Sequence, residues 1–130
     1  MPCDYEIDLQ RRLLKCRVWG AATHAEISQM RQKFTHDPAF RSDLFQLYDL
    51  RDATGLTISA GEIRDLAGYS PFSREAKRAI VAQRDAVYGA ARMFALLREA
   101  GGAQEQIQVF RSLSEANAWL GLENKEIRSG

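Results

Sequence analysis

Period-two patterning at the start of the chain, followed by a regular exchange of strand-like and helix-like segments, restricts this sequence more than any other feature. Tyr5, Ile7 and Leu9 alternate with acidic residues. After Gln10-Arg11-Arg12, Leu14, Cys16 and Val18 alternate with Lys15 and Arg17. Successive side chains of a strand point to opposite faces, so two such runs across a short polar break predict a β-hairpin. Gly20 is expected to end its second strand. Thr23-His24-Ala25-Glu26 is a capping box: the hydroxyl accepts from the N–H three residues on, and the glutamate reaches back. Ile27, Met30 and Phe34 then follow at i, i+3 and i+7, one stripe of an amphipathic helix. Asp37-Pro38 closes that segment, because the residue before proline avoids the helical region.

The exchange continues to the end. The dense apolar run from Leu44 to Leu50 reads as a buried strand and residues 51–58 as a connector. Ser59-Ala60-Gly61-Glu62 is a second capping box, opening a helix with Ile63, Leu66 and Ala67 inward and Gly68 as its stop. After a loop through Pro71, residues 77–82 read as a strand, β-branched at its centre. Asp85 is placed to cap a long helix with Val87, Ala90, Ala91, Phe94 and Leu97 on one side, closed by Gly101-Gly102. Ile107, Val109 and Phe110 make a last strand. Ser112 starts a last helix carrying Ala116, Trp119 and Leu120. The order β-β-α-β-α-β-α-β-α predicts an α/β fold. Its sheet is mixed but largely parallel, of about five strands, with four helices and the N-terminal β-hairpin as an antiparallel edge. Leu14, Cys16, Val18, Phe45, Leu47, Ile80 and Val109 are expected inward.

At 130 residues the chain suits one domain, read as residues 1–122 with a polar tail over 123–130. Apolar residues at 45% and charged residues at 27% exclude disorder and a coiled coil. Lys plus Arg is 18 against 17 for Asp plus Glu, a net charge of +1 that makes no electrostatic case for nucleic acid or a membrane surface. No apolar run approaches the ~20 residues of a transmembrane segment. The N-terminus has neither a basic nor an apolar leader region, so no signal peptide is expected. Cys3 and Cys16 do not make a disulfide framework. A cytoplasmic protein with reduced thiols is the expectation.

Ligands of parallel α/β sheets gather outside the carboxyl ends of the strands. Two polar stretches fall there: Asp49, Arg51, Asp52, Thr54 and Ser59, and then Gln83, Arg84 and Asp85 leading to Tyr88 and Arg92. Each also suits an ordinary turn, cap or ion pair. There is no Gly-x-x-x-x-Gly-Lys and no Gly-x-Gly-x-x-Gly, which excludes both phosphate loops. His24 and His36 stand twelve residues apart, too far to chelate as an i, i+4 pair, and no metal is expected. Cys16 on a core face is a small inert hydrophobe. Tyr88 and Arg92 share a helix face. Gly89 between them costs ~1 kcal/mol relative to alanine and suggests close approach of another backbone. Either Arg92 clamps Asp49 or Asp52, or it stays exposed over tight helix-on-sheet packing.

Taken in order, Tyr5-Glu6-Ile7, Gly20, Asp37-Pro38-Ala39-Phe40, Asp49-Leu50-Arg51-Asp52 with Gly55-Leu56, Tyr88-Gly89 with Arg92-Met93-Phe94, and Ala116-x-x-Trp119-Leu120 span most of the chain. This set resembles the SpoIIAA-like family, related to STAS domains. The resemblance implies a compact mixed sheet with helices and no cofactor. Anti-sigma-factor antagonists of that type carry Asp-Ser-Ser-Gly at the helix after the third strand and are phosphorylated on the serine before glycine. One register sets Thr54 there and the other sets Ala60. Neither keeps the signature, and Ser59 is expected to be occupied as a cap, so no phosphorylation is expected at the helix start.

The implied function is a non-enzymatic regulatory or interaction module. Its partner would be a regulatory protein, an anti-sigma factor or a kinase-like protein, met through the second helix and its preceding loop. A homodimer is compatible with this. The alternative is a binder of a small apolar or anionic ligand, as in lipid-binding relatives of the architecture, with Tyr69, Phe72, Tyr88, Met93 and Phe94 as lining. A deep cavity at Phe94 favours the ligand binder and a closed core the interaction module. Asp49, Arg51, Asp52, Thr54, Ser59, Tyr88 and Arg92 form the candidate ligand- or partner-binding set. An enzyme ranks third, since paired carboxylates occur without a poised base or nucleophile.

Overall fold

The computed structural model describes residues 2–122, so the tail expected over 123–130 lies outside the described residues. The elements are β1 (Cys3–Asp8), β2 (Leu13–Thr23), α1 (His24–Thr35), β3 (Phe45–Thr57), α2 (Ala60–Ala67), β4 (Lys77–Val81), α3 (Asp85–Ala100), β5 (Gln106–Phe110) and α4 (Leu113–Leu120). They build the expected α/β architecture. The sheet order is β1-β2-β3-β4-β5, with β1 antiparallel to β2 and every later pair parallel. Right-handed crossovers between strands laid down in chain order return on one side, which stacks α1, α2 and α3 together on one face. The cluster on that face includes Leu14, Cys16, Val18, Met30, Phe34, Leu50, Ile80, Val87 and Ala91. Helix α4 packs on the other face, over Leu13, Leu47, Ala79 and Val81, with its own Ala116 and Leu120. The alternation Leu13/Leu14 and Ala79/Ile80 sends neighbours to opposite layers, as strand pleating requires.

Both capping boxes form. Thr23 Oγ1 accepts from Glu26 N at 3.2 Å while Thr23 N donates to the Glu26 carboxylate at 2.9 Å. Ser59 and Glu62 repeat the arrangement at 3.1 and 2.9 Å.

Four local expectations are corrected. β2 does not end at Gly20; it runs on to Thr23. Gly20 sits at φ +65°, beside shifts of the β2–β3 register, where a residue without Cβ adopts the left-handed backbone of a bulge. The stretch after Leu50 is not a connector. β3 continues to Thr57, pairing Ala21 with Gly55 and Thr23 with Thr57. β4 meets β3 only from Gln46 to Asp49, so among the described residues this far half of β3 has β2 as its one strand neighbour. Asp85 is the first helical residue rather than the cap, which falls on Arg84 with no side-chain bond. Its carboxylate instead accepts from Arg111 Nη1 at 2.7 Å. Finally, beyond its own stretch of helix no atom of the described residues lies within 4 Å of where a Gly89 Cβ would be, so that glycine serves no close approach of another described segment.

Candidate functional site

Helix α2 has only eight residues and packs against α3 and, less, against α1. It therefore roofs the space between those helices and the sheet without filling it. A cavity of about 90 Å³ remains beneath it. Ile63 and Leu66 of α2 form the roof, Met30 and Phe34 of α1 and Phe94 of α3 the walls, and Tyr48, Leu50 and Ile80 the sheet side. The lining is mostly apolar because these are the inward positions of amphipathic helices and of strands in the same phase.

Polar groups complete the floor. Gln46 of β3 and Arg78 of β4 both point to the helix-covered face and are buried. Arg78 Nε donates to Gln46 Oε1 at 2.8 Å, and Arg78 Nη1 donates to Glu105 Oε2 at 3.1 Å. Arg98 of α3 donates through Nη2 to both oxygens of Glu105, at 2.9 and 3.2 Å, and through Nη1 to the Ala67 carbonyl at 3.0 Å. Ser70 Oγ donates to Glu105 Oε2 at 2.7 Å. The Arg78 guanidinium also lies over the rings of Phe72 and Phe94, 4.6 and 5.3 Å from their centroids. Burial opposes ionisation of Glu105, but its bonds from Arg98 and Ser70 and the charge of Arg78 outweigh that and hold its carboxyl below the usual range. Two guanidiniums thus surround one carboxylate, and among the described residues Arg98 Nε has no hydrogen-bond partner. Gln46 Nε2 meets Cys16 Sγ at 3.3 Å. Burial pushes the Cys16 thiol up to about 12, so it carries no thiolate at neutral pH, in line with an inert core cysteine.

The seven residues singled out from the sequence do not converge. Asp49 and Arg51 do meet: Nε and Nη2 of Arg51 donate to the two Asp49 oxygens at 3.0 and 2.9 Å. Burial works against the Asp49 carboxylate, yet the Arg51 side-chain and backbone bonds hold its pKa below the usual value. This pair lies in an open groove with Leu47 and Leu113, on the α4 side of the sheet. Asp52 and Thr54 are exposed on β3, and Ser59 caps α2. The register that ends at Gly55 therefore falls inside a strand, whereas Ala60 is the first helical residue. Tyr88 packs against the core on the helix-covered side and carries the Arg111 guanidinium 4.0 Å above its ring. The Arg92 clamp is not formed. Arg92 is exposed, one residue past buried Ala91 and so about 100° around the helix from it. No hydrogen bond or ion pair reaches it among the described residues.

Of the aromatic set, Phe94 lines the cavity and Phe72 stacks on Arg78. Tyr69 is 54% exposed and faces Arg31. Sequence reasoning missed Gln46, Arg78, Arg98 and Glu105. One signal was available for Arg78: in the run 77–81 it shares the phase of Ile80, a core position. Among the described residues no group of three or more His, Cys, Asp or Glu could hold a metal ion. No described helix is long and apolar enough to cross a membrane.

No protein-family model matches the chain, and no curated protein matches it. A solved structure does. It is the crystal structure of an uncharacterized protein of the DUF3478 family, with a SpoIIAA-like fold, from Shewanella loihica PV-4. The match covers 91% of this chain and 93% of that one at a TM-score of 0.60 and 18% identity. The five-stranded mixed sheet with four helices is a SpoIIAA-like fold.

Proposed function

We propose that this protein is a non-enzymatic binding module that takes a small, largely apolar ligand into the cavity beneath α2. The cavity itself carries the reading: an apolar space roofed by a short helix and reaching Phe94, where a closed core would have favoured interaction alone. The groups that catalysis would need are engaged elsewhere. Cys16 is buried as a thiol, Asp49 is held by Arg51, and Glu105 is shared by two arginines.

What α2 joins supports a regulatory role. Its inner face, Ile63 and Leu66, touches the cavity, while Arg64 and Asp65 on its outer face are exposed. A ligand pressing on the inner face changes the setting of the outer one. We read the contact with an anti-sigma or kinase-like protein at this helix and the loop before it, as the resemblance to the SpoIIAA-like family implies. In this reading the protein works in the cytoplasm, where Cys3 and Cys16 stay reduced.

Titration of methyl-labelled protein with butan-1-ol and with butanoate tests the core of the proposal. Saturable shifts of the Ile63, Leu66 and Ile80 methyl resonances are expected with at least one probe. No saturable shift with either would overturn it.

A further inference from the structure

The charge balance around the cavity defines its ligand more closely. We infer that the cavity is built for a short aliphatic carboxylate, whose head group pairs with Arg78 and whose chain occupies the space under α2. This rests on the ligand-binding reading above.

Arg78 is the anchor. Its side chain is only 7% exposed, it lines the cavity, and two of its three nitrogens are occupied, Nε by Gln46 and Nη1 by Glu105. Its Nη2 has no protein hydrogen bond among the described residues. A buried guanidinium stays charged and carries its donors in a fixed fork, so an unused donor on a residue that lines a cavity is a candidate anchor for an anion. Tyr48 adds a second donor. Its hydroxyl also lacks a protein hydrogen bond among the described residues, and burial raises its pKa, which keeps the proton on it. Among the described residues no carboxylate lines the cavity; its other cation, Arg31, is only half-buried and donates through Nη1 to the Leu66 and Tyr69 carbonyls.

The count of charges chooses the head group. Arg78 and Arg98 supply two positive charges and Glu105 one negative, so this cluster holds one positive charge in excess; Arg31, which also lines the cavity, is only half-buried and keeps its charge in reach of water. Uncompensated buried charge is costly. A carboxylate supplies one negative charge and two acceptor oxygens; a phosphate monoester brings nearly two charges. Size chooses the chain. A dry cavity of ~150 Å³ accepts benzene, so about 90 Å³ limits the buried chain to no more than roughly four carbons, with the carboxylate oxygens set against the Arg78 guanidinium.

The experiment compares butanoate, butan-1-ol and butyl phosphate at pH 7.5, following the same methyl resonances. Butanoate should bind at least tenfold more tightly than butan-1-ol and more tightly than butyl phosphate. Arg78→Met should remove the preference for the acid over the alcohol. That variant leaves Glu105 facing Arg98 alone, a balanced pair, so the fold should survive. Tyr48→Phe, which removes one oxygen, should weaken butanoate several-fold and supplies the test if the Arg78 variant does not fold. Equal binding of acid and alcohol would overturn the carboxylate while leaving the apolar cavity reading standing. Tighter butyl phosphate would overturn the head group alone. Failure of all three probes to bind would overturn both proposals.

Discussion

The two faces of the sheet each carry an arginine–carboxylate pair, and the pairs live under different physics. On the helix-covered face, Arg78 and Glu105 meet at 3.1 Å with side chains 7% and 1% exposed. On the other face, Arg51 and Asp49 meet at 2.9 Å with side chains 36% and 15% exposed. Three helices seal the first face. α4 packs chiefly over β4 and β5, so the β1–β2 side of the second face stays open as a groove with Lys15 and Arg17. Distance alone thus says little about an ion pair. Burial decides whether removing one partner strands a charge in a poor solvent or merely returns it to water.

The sharpest way to break this comparison is Glu105→Gln. It leaves Arg78 and Arg98 buried together without a counter-charge, and a loss of about 3–5 kcal/mol is expected by urea unfolding. A loss below about 1 kcal/mol would show that water reaches the cluster. Arg78→Met should cost clearly less, because one arginine still matches one carboxylate; the order of the two midpoints is the measurement.

Acid adds a second probe of the same face. The folded pKa of Glu105 lies below its ordinary value of 4.5, so its stabilisation is present above about 4.5 and fades as pH falls through the depressed folded value. Unfolding midpoints should decline below about pH 4.5, and the decline should be shallower in Glu105→Gln.

Between the two faces in magnitude comes the roof. Ser59→Ala removes the hydroxyl that accepts from Glu62 N and should cost about 1 kcal/mol. The smallest effect belongs to the open face. Asp49→Asn should cost about 0.2–1 kcal/mol, less in high salt, since Arg51 is left in reach of water. A cost equal to that of Glu105→Gln would erase the distinction between the faces.

Much of the architecture was legible because its signals are local. The hairpin follows from alternation on either side of a polar break, and the starts of α1 and α2 from Thr23/Glu26 and Ser59/Glu62, pairs three residues apart that satisfy each other's backbone. The far half of β3 was not legible. Asp52 and Thr54 look like turn residues, and only pairing with the bulged end of β2 makes them strand. The expected Arg92 clamp failed for a similar reason: helical spacing fixes which residues share a face, not what that face meets.

The sequence by itself determined the order of elements, the two capping boxes, the inward phase of Leu14, Cys16, Val18 and Ile80, and hence the mixed sheet with helices between its strands. These depend on neighbours within a few positions, and backbone geometry turns such spacing directly into structure. The tertiary structure alone decided the cavity and its floor. Gln46, Arg78 and Glu105 are separated by 32 and 27 residues and share no pattern in the chain. They meet because parallel pairing sets β3, β4 and β5 side by side and the helices close over them. Whether an arginine is a solvated surface charge or the buried anchor of a cavity is a matter of what covers it, which only the assembled layers settle.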